Sequence, residues 1–178
     1  MGNQRTNSAA LFNRAHVRMQ RDRAAAESPE HLVKIRVIDE LSDRLDVIKR
    51  EYETALILGT PSKDLPPFAK HSIIADISDK QLHTTNGDRI QCAEDFLPFK
   101  SNRFDMVYSP LCLHSVNDLP GALIQINRCL KPDGLFIGAM FGGESLLELR
   151  QCLTEAEMNV TGGISPRVYP FADKQQAG

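Results

Sequence analysis

The chain has 178 residues, 42% hydrophobic and 25% charged, with a formal net charge of -2. That length supports one domain with a real core. The charge balance gives no chain-wide cationic surface for nucleic acid or anionic lipid, and no apolar run approaches the roughly 20 residues that span a bilayer. The opening stretch, MGNQRTNSAALFNRAHVRMQRDR, sets Arg5, Arg14, Arg18, Arg21 and Arg23 against one acid, Asp22. It lacks the apolar centre of a secretory signal. An organelle transit peptide has this character, and so does a basic helix solvated along its length; the helix is the preferred reading. Ser28 and Pro29 then read as a helix opening, with Ser28 as cap and Pro29 in the first turn. Leu32, Ile35, Ile38, Leu41, Leu45 and Ile48 recur at helical spacing and carry that helix to about residue 49.

A short apolar run at 54–59, TALILG, is the first candidate strand, and Pro61, Pro66 and Pro67 stop any regular helix after it. Further strands are expected at 71–78, 88–92, 103–110 and 135–141. A helix is expected at 118–130, with Leu123, Ile126 and Leu130 inward and Asn117 or Asp118 as its cap. KPDG at 131–134 reads as a turn in which Pro132 fixes φ and Gly134 takes a positive one. A last helix is expected at 144–158, with Leu146, Leu149 and Leu153 on one face. The four cysteines, Cys92, Cys112, Cys129 and Cys152, form no C-x-x-C pair and have no histidine at zinc-finger spacing. Reduced, buried thiols in a cytosolic setting are the better reading, with no metal framework.

Strands alternating with helices imply right-handed βαβ units and a parallel sheet, an α/β Rossmann-like doubly wound fold. Residues 1–27 are read as a basic helical segment and 28–178 as the α/β domain. Ligands of such sheets bind beyond the carboxyl ends of the strands, so the residues just after each strand are the candidates for function.

One segment is specific enough to name a family. IQCAEDFLPFKSNRFDMVYSPLCLHSVNDLPGALIQINRCLKPDGLFIGAMFGG resembles the core of class I methyltransferases that use S-adenosylmethionine: LPF, an FD opening a strand, LH after it and LKPDG before the next strand occur in order. LFNRAHVRMQRDRAA, FIGAMFGGESLLELR and GGISPRVYPFAD extend the likeness. They resemble the subfamily of complex I assembly factor 5-like proteins and malonyl carrier protein methyltransferases. The resemblance implies a methyltransferase, or a related arginine-modifying enzyme, acting in assembly of respiratory complex I. The implied partner is a complex I subunit, and the implied setting is bacterial cytoplasm or, alternatively, mitochondrial matrix. Five strands are visible where the resemblance implies seven, so the C-terminal strands are read as truncated.

For the cofactor, the resemblance implies Gly59 in the first loop, Asp76 on the ribose hydroxyls with Ile77 beside it, and Glu94 or Asp95 on the adenine amino group. Phe96 is placed against the adenine face or in the core, and Ser109 follows the fourth strand. The first loop departs from the family pattern. Ile57 stands where an Asp is expected, and Pro61 and Lys63 where glycines are expected, which removes an acceptor, an N–H and backbone freedom. A non-catalytic scaffold with a degenerate cofactor loop is therefore the alternative function. A P-loop and a G-x-G-x-x-G dinucleotide loop are both absent. His114 is the one candidate general base, set against a structural histidine. Cys112 reads as a small buried residue and not a nucleophile. Asp105 reads as a cap or a brace for a loop.

Overall fold

A computed structural model describes residues 10–27, 32–61, 65 and 67–172. Ser28, Pro29, Lys63 and Pro66 lie outside these, so the helix opening and the lysine of the first loop do as well. The chain divides into two compact units, Met1–Ala139 and Met140–Gly178.

The first unit is built on five parallel strands: Tyr52–Leu58 (β1), Ala69–Asp76 (β2), Asp88–Gln91 (β3), Phe104–Pro110 (β4) and Leu130–Ala139 (β5). Their order is β3-β2-β1-β4-β5, the doubly wound arrangement expected from the sequence. β1 is central and its Ala55, Leu56, Ile57 and Leu58 are all buried, as a strand covered on both faces requires. β3, DRIQ, is a polar edge.

Helix Arg14–Glu27 (α1) precedes helix Leu32–Ile48 (α2). Ile38, Leu41 and Leu45 are the buried stripe of α2; Leu41 and Leu45 share one apolar layer with Ala55, Ile57, Met106 and Tyr108. Helix Leu119–Cys129 (α4) crosses from β4 to β5 and buries Ala122, Ile126 and Cys129. Asp118 caps it, accepting from the Gly121 N–H at 2.9 Å. Asn117, the other candidate cap, is used elsewhere. Its side chain bonds the backbone N–H and C=O of Phe12 at 2.8 and 3.0 Å. A short helix, Asp79–Leu82 (α3), was not read from the sequence. Ser78 is its cap, not the end of a strand, and accepts from the Gln81 N–H at 3.1 Å.

Two turn readings change. In KPDG it is Asp133 that takes positive φ, at 62°. Gly134 is required for space instead, because a Cβ there would lie 2.8 Å from the Lys131 carbonyl oxygen. The segment is itself the start of β5, with a register irregularity opposite 104–106. Asp105 is a brace as expected: it accepts from the Thr54 N–H at 2.9 Å, the Thr54 hydroxyl at 2.8 Å and the Lys131 ammonium at 2.9 Å.

In the second unit the helix runs Leu147–Thr161 (α5), three residues later than expected at each end. Leu146 precedes it in a left-handed conformation, and of the expected apolar face Leu153 is half-buried while Leu146 and Leu149 are exposed. Glu157 accepts from the Ser165 N–H and hydroxyl at 2.8 and 2.6 Å and from Arg167 at 2.7 Å.

Candidate functional site

The strand order reverses between β1 and β4, and the crevice at their carboxyl ends is where this sheet type receives ligands. Gly59 closes β1 with φ +80°, and its N–H donates to the Ala75 carbonyl at 2.8 Å. A Cβ on Gly59 would stand 2.8 Å from the Cβ of Cys112, so both the backbone angle and the space call for glycine.

Asp76 ends β2 and is 2% exposed. Its Oδ2 accepts from the Thr60 N–H at 2.7 Å; its Oδ1 accepts from the Ser78 N–H at 2.8 Å and from Arg21 Nη1 at 3.1 Å. Burial opposes its ionisation, but the Arg21 guanidinium and the two N–H groups outweigh that and hold its pKa below the ordinary value. Glu94, 1% exposed, lies between two arginines. Arg21 Nη1 is 2.6 Å from its Oε1, and Arg14 Nη2 pairs with its Oε2. Arg14 also donates to the Ser115 carbonyl at 2.8 Å and lies 4.0 Å from Asp95. Burial works against the Arg21 charge, yet Glu94 and Asp76 raise its pKa above the ordinary value. The Lys34 ammonium donates to the Thr60 carbonyl. Its pKa is lowered by burial, against the pull of Asp76 and with the push of Arg21.

Helix α1 is thus not solvated along its whole length: Arg18 and Arg23 are exposed, Arg14 and Arg21 are not. Arg14 and Arg21 are seven positions apart, two turns, and reach buried carboxylates from one face of α1. That spacing, matched with isolated acids after two strands, is the signal that could have found them. Lys34 carried no comparable signal. Two more contacts dock α1: Asp22 accepts from the Ser78 hydroxyl at 2.5 Å, and Gln81 Nε2 donates to the Arg21 carbonyl at 3.2 Å.

The remaining candidates fall out differently. Ile77 is half-buried and its carbonyl accepts from Gln91 at 3.0 Å. Asp95 turns its carbonyl to Gln125 Nε2 at 2.5 Å. Phe96 is 72% exposed, so it is not core; Leu97 takes that place. Ser109 is fully buried against Cys112, hydroxyl to thiol at 3.1 Å, with no surface to offer a ligand. Cys112 is buried and its thiol is pushed up to about 12, mainly by burial, which makes it a packing residue. Of the other thiols Cys129 is buried, Cys92 half-buried and Cys152 exposed, so not all four are the buried residues expected. His114 is lowered to about 4, first by burial and then by Arg21, so it is neutral at pH 7 and a weak base. Ile57, where the family pattern has an acid, packs in the apolar layer beneath α2, which suits an aliphatic side chain.

A ribose diol would donate two hydrogen bonds to Asp76. A carboxylate offers about four acceptor positions, and three are taken here by Thr60, Ser78 and Arg21. With α1 docked in this way one acceptor position is left where a diol needs two; without Arg21 there are two.

A family model described as a methyltransferase domain matches residues 57–138. The chain is 41% identical over 182 residues to the arginine-hydroxylase NDUFAF5, mitochondrial, of Homo sapiens, covering 94% of this chain and 52% of that protein. It is 29% identical over 189 residues to the malonyl-[acyl-carrier protein] O-methyltransferase of Halorhodospira halophila, covering 96% of this chain and 61% of that protein. Its fold is similar to that of the N-methyltransferase NodS from Bradyrhizobium japonicum, solved with S-adenosyl-L-homocysteine: TM-score 0.59, 13% identity, 68% of this chain and 71% of that one. The chain spans about half the length of the NDUFAF5 proteins it matches. Among the described residues no helix is long and apolar enough to cross a membrane. Motif order, parallel sheet and relatives agree: the chain belongs to the class I S-adenosylmethionine-dependent methyltransferase family, in the subfamily of NDUFAF5-type proteins and malonyl carrier protein methyltransferases.

Proposed function

We propose that this chain is the cofactor-binding part of an S-adenosylmethionine-using enzyme that modifies an arginyl side chain of a complex I subunit, in bacterial cytoplasm or mitochondrial matrix. The observation that carries the cofactor reading is the placement of Asp76 and Glu94, both buried, at the carboxyl ends beside the point where the strand order reverses. Gly59 adds the tight turn that lets backbone approach a ligand. The arginyl target is supported by the 41% identity to a protein named an arginine-hydroxylase. Group transfer from a sulfonium rests mainly on alignment of the reactants, so the weak basicity of His114 does not count against it.

The test is calorimetric titration of the folded chain with S-adenosylmethionine and S-adenosylhomocysteine, followed by mass spectrometry of arginine-containing complex I peptides incubated with it. Micromolar binding and a gain on arginine of a methylene from S-adenosylmethionine, or of an oxygen when dioxygen and a reductant are supplied, support the reading. A folded chain that takes up no heat and leaves every peptide unchanged is instead a scaffold that has kept the fold.

A further inference from the structure

The geometry points to the Arg21 end of α1 as a gate on the nucleoside subsite: Arg21 holds Asp76 and Glu94 in place of a ligand, and a ribose diol reaches Asp76 only when this end of the helix withdraws while Arg14, its first residue, stays seated. The inference rests on the cofactor reading above and adds a conformational step to it.

Three observations carry it. First, the Arg21 guanidinium is within 3.1 Å of Asp76 and 2.6 Å of Glu94, and it uses the acceptor position that a second ribose hydroxyl needs. Second, the arrangement has two satisfied states. A buried carboxylate needs a counterion or a full set of hydrogen-bond donors, and is strongly destabilised with neither. With Arg21 in place both are paired. With Arg21 out, a diol supplies two donors to Asp76, while Glu94 keeps Arg14, which the Ser115 carbonyl holds independently at 2.8 Å. Third, α1 is attached mostly by polar contacts. Val17 is its one buried apolar side chain among the described residues, and the contacts near Arg21 are polar: Asp22 to Ser78, Gln81 to the Arg21 carbonyl, and Arg21 Nη2 to the Cys112 carbonyl at 3.4 Å. Elements with few buried apolar contacts open at low free energy, which is what a two-position gate requires.

The experiment compares S-adenosylhomocysteine binding by the unmodified chain and by Arg21→Met, which keeps length and removes charge. It adds hydrogen exchange of the unmodified chain with and without ligand. Apparent affinity scales with the fraction of open sites, so the variant is expected to bind about tenfold tighter or more. Ligand is expected to raise exchange at the Arg21 end of α1 while protecting 76–78. Adenosine is expected to open α1 and 2′,3′-dideoxyadenosine to leave it closed. Weaker or unchanged binding by folded Arg21→Met, or an α1 that becomes more protected with ligand, overturns the gate and makes Arg21 a ligand contact. No binding by either protein overturns the cofactor reading and the gate with it; binding with α1 unmoved overturns the gate alone. If Arg21→Met does not fold, the exchange experiment on the unmodified chain decides.

Discussion

Asp76→Asn separates the structural duty of this carboxylate from any ligand duty. Asparagine has one acceptor oxygen and an NH₂ that accepts nothing. That oxygen can face the Thr60 N–H or the Ser78 N–H, which bind opposite oxygens of Asp76 at 2.7 and 2.8 Å, but not both. The loser is a buried donor facing another donor, at about 1–3 kcal/mol. Arg21 also loses a charge-assisted bond, about 1.5–3 kcal/mol more. The sum, about 2.5–6 kcal/mol, is a large part of the total stability, about 5–15 kcal/mol, of a typical domain. With a urea slope of about 2 kcal/mol/M, the unfolding midpoint falls by about 2 M. The pH dependence changes too. The Asp76 pKa is lowered on folding, so its contribution is present above the ordinary carboxylate pKa of 3.8 and is lost as pH falls through the lowered value; the variant lacks that part of the acid loss. A midpoint shift below about 0.5 M would show that the three bonds do not form. Asp76 variants are for the same reason poor binding-dead controls, since they loosen the loop that carries Gly59.

Gly59→Ala places a side chain at φ +80° with its Cβ 2.8 Å from Cys112, and a loss of about 2 kcal/mol or more is expected in thermal or urea unfolding. The His114 pKa falls from 6.5 to about 4 on folding, so the unfolded chain binds the proton first. Stability therefore drops as pH falls from 6.5 towards 4, by about 2–3 kcal/mol at most, and His114→Gln flattens that slope in urea titrations at several pH values. Thiol labelling is expected to run in the order of exposure, with Cys152 reacting in the native state and Cys112 and Cys129 only on unfolding. Native labelling of Cys112 at the rate of Cys152 would contradict its burial and its raised pKa.

Much of the frame was legible along the chain because it depends on local pattern. Apolar runs at 54–59 and 103–110, Asp118 with Pro120 at a helix start, and Ile38, Leu41 and Leu45 at helical spacing each report the side they bury. Short or irregular elements were not legible. Four residues of α3 have no period to detect, and in KPDG the need for glycine at 134 comes from the nearby carbonyl of Lys131 while Asp133 takes the positive φ.

The sequence by itself determined the alternation of strands and helices, the family motifs, and the acids that stand after the second and third strands. Tertiary structure alone decided what those acids touch. Arg14 and Arg21 are 80 and 55 positions from Glu94 and Asp76, and Lys34 is 26 from Thr60, so no local pattern couples them. A run of arginines is equally consistent with a solvated helix and with a buried ion-pair cluster. Which one forms depends on whether the fold sets that helix face against buried carboxylates, where an unpaired charge on either side is too costly to persist.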